Sequence, residues 1–271
     1  MTPRPSIAFL PGAGGDAPDL AVFRDGPDDP NRVAFIGYPG WSRYVTDGYS
    51  ADALIDELAA KIASRIPAGP IRIIGVSLGG HLGYAAGLRL QAQGREIAGL
   101  CAIDSMMIES SGPSAGWTQR ALELALDQLR QRRLGDLGRF MRSRVWRGLA
   151  RACGDRLPRI AQRCSASVSV AVALDPIFEQ ELNMRLLIRT VAPWLAAADR
   201  NPVALNAPAI LLRTGLAAGH DGAWRRRCPD LHSFEIPGKH HTLFDAENVG
   251  ALHETFIRAT LDWRERTMVQ A

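Results

Sequence analysis

Five consecutive residues constrain this chain more than any others. Ile71 to Ile74 is a short apolar run, and Gly75-Val76-Ser77-Leu78-Gly79 follows it directly. Beyond them a helix-forming segment reaches about Gln93, where Gly94 stops it. A buried strand turning sharply into a helix is the context in which G-x-S-x-G has mechanical meaning. The turn forces the serine into backbone angles that ordinary residues avoid, and side chains at 75 or 79 would collide with neighbouring backbone. The Ser77 hydroxyl is then left at a helix N-terminus, where the dipole and free amides favour a developing anion. A glycine-rich turn that merely packs has the same letters, but it seldom falls at such a junction.

The flanks supply the rest of the layout. Ser6 to Leu10 reads as a buried strand ended by Pro11-Gly12-Ala13-Gly14-Gly15, and residues 32–37 as a second strand. Ser50 is the expected N-cap of a helix over 51–65, with Leu54, Leu58 and Ile62 on one face. Residues 71–74 and 97–103 are further strands. From about 105 to 205 the pattern is helical, with stripes at Leu122, Leu126 and Leu129 and at Met141, Val145 and Leu149, and one ambiguous stretch at 167–174. Strands return at 209–213 and 231–236, and a last helix is expected at about 246–264.

This alternation predicts an α/β protein with a mostly parallel sheet and helices on both faces. The α/β-hydrolase fold fits it, with residues 1–105 and 206–271 as the core and 106–205 as a helical lid inserted at the sheet's C-terminal edge. With 271 residues and 46% apolar content, one such core is ordinary and wholesale disorder is excluded. No apolar run is long enough for a membrane span, and Met1 to Pro5 has no apolar signal core, so a cytoplasmic location is expected. The four cysteines (101, 153, 164 and 228) form no CxxC pair, which favours reduced thiols over a disulfide frame or a zinc site.

Charge is unevenly spread. Residues 120–163 hold twelve arginines against four acids, a local +8, while the whole chain carries only +4. Such a segment suits an acidic partner, although arginine-rich helix faces are often simply solvated.

A serine nucleophile needs a base. His240, in Pro237-Gly238-Lys239-His240-His241, follows the last strand, as the chain order Ser…acid…His requires; His241 competes with it. The acid that orients the imidazole is Asp104, at the end of the strand after the nucleophile helix, or Asp221, beyond strand 209–213. The oxyanion donors are expected to be the amides of Leu78 and of Gly12 or Ala13. The glycines of 12–15 do not match G-x-G-x-x-G in spacing, so no dinucleotide cofactor is expected, nor any metal.

Taken together, Ile7 to Gly15, Gly75 to Gly80, Cys101-Ala102-Ile103-Asp104-Ser105 and Ile236 to His240 resemble the thioesterase domains of nonribosomal peptide and polyketide synthases. The likeness covers roughly 1–105 and 206–265. In that family the acid follows the strand after the nucleophile helix, and Asp104 stands 27 residues beyond Ser77, so the resemblance favours Asp104. It also implies an acyl, peptidyl or polyketide chain delivered on the phosphopantetheine arm of a carrier protein, passed to Ser77 and released by water or by cyclisation. A small-molecule esterase or lipase, an acyltransferase with the same triad, and a catalytically dead scaffold binding an acidic partner through its arginines are the competing expectations. Nucleic acid is not an expected partner.

Overall fold

The computed structural model describes residues 6–24, 33–45, 48–106, 176–215 and 221–261. Among the described residues, six strands form one sheet: β1 (Ser6–Leu10), β2 (Val33–Phe35), β3 (Ile71–Val76), β4 (Ile97–Ile103), β5 (Ala209–Arg213) and β6 (Leu231–Glu235). Their order is β2-β1-β3-β4-β5-β6, and every neighbouring pair is parallel. Parallel strands demand crossovers and burial on both faces. β3 obeys this strictly, being buried at all six positions.

The pleat sorts side chains by parity. Ile7, Phe9, Ile74, Val76, Cys101, Ile103, Ile210 and Leu212 share one face. Leu252, Phe256 and Ala259 of the last helix cover it, together with Phe23 from a single 3₁₀ turn at Leu20–Phe23. Phe23 stacks on Phe9 at 5.2 Å and meets Phe256 edge-on at 5.3 Å. Each such ring contributes about 1.5–3 kcal/mol through burial. The helix over Leu78–Ala92 packs against β1, β3 and β4.

The helices among the described residues are α1 (Trp41–Tyr44), α2 (Ala51–Arg65), α3 (Leu78–Ala92), α4 (Pro176–Arg200), α5 (Asp221–Arg227) and α6 (Val249–Ala259). α2 begins where the cap predicts: the Ala53 amide donates to Ser50 Oγ at 3.2 Å. α6 starts later than the expected 246, because Asn248 closes a turn on Asp245 and spends its side-chain amide on the Thr242 carbonyl. α5 was not expected at all.

The chain divides into two compact units. One comprises Met1–Tyr38, Ser50–Met107 and Val191–Ala271 and carries the sheet. The other comprises Pro39–Tyr49 and Ile108–Thr190; within it Arg43 lies 5.0 Å over the Tyr49 ring, and Tyr44 meets that ring edge-on. Of the expected lid, the stripes at 122–129 and 141–149, the stretch at 167–174 and all twelve arginines lie outside the described residues.

Candidate active site

β3 and α3 meet at Ser77 with no intervening loop, and its φ of 54° and ψ of −120° lie where L-residues are rare. The two flanking glycines are enforced by space. A Cβ on Gly75 would stand 2.2 Å from the Gly79 carbonyl oxygen, and one on Gly79 would stand 2.4 Å from the carbonyl oxygens of Leu10 and Pro11. Ser77 makes no side-chain cap on its own helix, so its hydroxyl is not spent on the backbone amides of the first turn. The Leu78 amide is among the helix's orphan donors. Gly12 stands beside Ser77: a Cβ added there would lie 3.7 Å from Ser77 Cβ. The loop carrying Gly12 and Ala13 is held by a turn from the Gly15 amide to the Gly12 carbonyl (3.0 Å) and by the Tyr38 hydroxyl, which donates to the Pro11 carbonyl at 2.6 Å.

Asp104 stands at the end of β4. The Ser77 amide donates to the Ile103 carbonyl at 2.8 Å, which ties the serine to the residue preceding the acid. The Asp104 amide donates to Leu212 at 2.7 Å, and its φ of 47° turns the side chain off the strand. The carboxylate is fully buried. Oδ1 accepts from both the amide and the hydroxyl of Thr214 at 2.9 Å, and Oδ2 lies 2.7 Å from His240 Nδ1. Burial alone would raise the carboxyl's pKa. The bonds from His240 and Thr214 outweigh it and hold the group below its ordinary value.

An ionised carboxylate only accepts, so His240 carries its proton on Nδ1, and in the neutral ring Nε2 keeps the lone pair. The side chain is 40% exposed, with its charge partner wholly enclosed. Gly238, at φ 91°, and the turn from the Thr242 amide to the Lys239 carbonyl (2.8 Å) set the loop that presents it. Chemically, one edge of the sheet thus offers a strained serine, free helix-end amides, and an imidazole whose tautomer is fixed by a buried anion.

A family model for the thioesterase domain matches residues 5–260. The chain belongs to the thioesterase domain family. Among solved structures, this thioesterase domain is similar to the Vlm2 thioesterase domain (22% identity, 95% of this chain and 94% of that one, TM-score 0.60). It is also similar to the NocB thioesterase domain from the nocardicin cluster (22%, 95% and 94%, TM-score 0.54). A four-domain nonribosomal peptide synthetase, AB3403, matches over 96% of this chain and 20% of its own length (18% identity, TM-score 0.55). These neighbours share the α/β fold. No match was found among curated proteins.

Within this thioesterase domain the candidate acids and bases differ in their contacts. The partner of Asp104 is His240, while His241 is exposed beside it. Asp221 opens α5 and pairs with Arg213 Nε at 3.2 Å. Thr214 went unnoticed in the sequence; its position just past a strand end was the available signal, but nothing in its type marked it. Trp224 is fully buried. Cys101 and Cys228 are free and buried, the latter's thiol pushed up to about 12 by burial. Among the described residues no helix is long and apolar enough to cross a membrane, and no group of three His, Cys, Asp or Glu side chains is placed for a metal.

Proposed function

We propose that this thioesterase domain releases an acyl, peptidyl or polyketide chain from the phosphopantetheine arm of a carrier protein, through an acyl-enzyme on Ser77. His240 Nε2 takes the Ser77 proton as Oγ attacks the thioester carbonyl. The resulting oxyanion sits on the amides of Leu78 and of Gly12 or Ala13, each donor worth about 10²–10³ in rate. The C–S bond then breaks, and the imidazolium returns its proton to the departing pantetheine sulfur. A water molecule, or a hydroxyl or amine of the chain itself, is deprotonated by the same nitrogen and attacks the ester; the C–Oγ bond breaks, the proton passes to Ser77 Oγ, and an acid or a ring is released. Asp104 keeps His240 in the reactive tautomer and balances the imidazolium charge.

The observation that carries this reading is the bond from His240 to the buried Asp104, on the same sheet edge as the strained Ser77. Family membership supports the thioester as substrate, and the likeness to a thioesterase domain of the nocardicin cluster and to a nonribosomal peptide synthetase supports the carrier-bound chain. The test compares acyl-pantetheine and acyl-carrier substrates with short p-nitrophenyl esters at equal concentration, with fluorophosphonate labelling followed by intact mass. The expected result is preference for the thioesters and one label on Ser77, both abolished by Ser77→Ala. Thioester turnover that survives Ser77→Ala overturns the assignment, and a preference for simple esters moves the domain to the esterases.

A further inference from the structure

Behind the site lies a buried network that the chemistry above does not use. Its centre is Arg227 on α5, only 1% exposed. One of its nitrogens lies 2.8 Å from His81 Nδ1 and another donates to Asp199. The guanidinium sits 5.3 Å from the Tyr84 ring centre and 5.5 Å from that of Trp224. A guanidinium carries only donors, so His81 Nδ1 must be a lone pair and the proton must be on Nε2. Nε2 then donates to the Met106 carbonyl at 3.0 Å. Trp224, stacked on the His81 ring at 5.0 Å, donates its indole N–H to the Ser105 carbonyl at 2.8 Å.

The two acceptors belong to the two residues directly after Asp104. That residue holds a left-handed backbone, which persists only where its surroundings over-determine it. The first turn of α3 presses on the same segment, since a Cβ on Gly80 would fall 2.1 Å from Ser105 Oγ. Stability alone does not account for the arrangement: an apolar cluster of similar volume commonly does as well as a buried ion pair. What an apolar cluster lacks is donors aimed at these two carbonyls.

We infer that His81, Trp224 and Arg227 are positioning residues for Asp104: Trp224 and His81 clamp the Ser105 and Met106 carbonyls, and Arg227 holds His81, so that the carboxylate meets His240. Arg227 sets the tautomer of His81 much as Asp104 sets that of His240. The inference rests on the Ser77–His240–Asp104 reading above.

Three variants test it. Trp224→Phe removes the indole donor and keeps the ring, His81→Met removes both ring nitrogens, and His81→Gln restores an acceptor for Arg227 and a donor for Met106. With an acyl-pantetheine substrate, Trp224→Phe and His81→Met are expected to lower kcat about tenfold, the scale seen when the support behind a catalytic ligand is lost. KM should hold, and His81→Gln should recover most of the loss. In an Asp104→Asn background the same changes should lower kcat no further, because they act through the residue already disabled. Proton NMR gives a readout independent of turnover: the low-field Nδ1–H resonance of His240 should move or broaden in Trp224→Phe and return toward its place in His81→Gln. An unmoved resonance, or an equal loss in both backgrounds, overturns the inference. A wild-type domain that neither labels nor turns over sinks the catalytic reading instead, and the resonance alone then decides the positioning claim.

Discussion

At the scale of single residues, the site is a contest over one buried carboxylate. Asp104 loses hydration and regains three hydrogen bonds, two of them from Thr214. Its folded pKa lies below its ordinary value of about 4. By linkage, the stabilisation this ionised group supplies is complete above that ordinary value and is lost as pH falls through the lower folded one. Thr214→Val keeps the amide donor and deletes the hydroxyl, so the folded pKa should rise toward the ordinary value. The variant should be less stable at neutral pH by about 2 kcal/mol, the scale for a bond to a charged group. Urea titrations from pH 7 downward should show that gap narrowing below about pH 4. A gap that stays constant to low pH would mean that the hydroxyl acts by packing and not through the carboxylate.

Elements show how far local rules reach. α2 was legible in full because its cap and its apolar stripe at Leu54, Leu58 and Ile62 are both local signals. The β3–α3 junction was legible for a different reason: Gly75 and Gly79 answer steric demands written into the motif itself. α5 was not legible, because seven residues are too few for a periodicity, and Trp224 and Arg227 owe their roles to partners such as Ser105 and His81 more than a hundred positions away in sequence. Thr214 hid for the same reason, 110 residues from the carboxylate it serves. The late start of α6 came from Asn248, whose side chain serves the preceding turn. The junction gives the sharpest test at this scale. In Gly79→Ala the new methyl would press on two backbone carbonyls that no rotamer change can move, so a loss of about 3 kcal/mol is expected, at the upper end for overpacking. Denaturant unfolding checks it, with Gly94→Ala as the contrast: there nothing lies within 4 Å, and any cost comes from a φ of 77° alone.

For the molecule as a whole, the sequence carries a charge imbalance with a kinetic consequence. Residues 120–163 bear a net +8 against +4 for the entire chain, so the remainder is net acidic. On the function proposed above, a field of that kind would speed encounter with an acidic carrier protein and with the phosphate of its phosphopantetheine arm, and salt would weaken it, because the screening length falls from about 10 Å at 0.1 M to about 3 Å at 1 M. On the function proposed above, the chemistry at Ser77 would have no such dependence, since it would follow docking. Raising ionic strength should therefore raise KM for an acyl-carrier substrate several-fold while leaving its kcat, and both constants for an acyl-pantetheine of the same acyl group, nearly unchanged. Replacing four of the twelve arginines by glutamine should raise KM for the carrier substrate at low salt and flatten its salt dependence, again without touching the small substrate. Equal salt responses for the two substrates would place the arginines on a solvated surface with no part in docking, and would leave the acyl group itself as the feature this domain recognises.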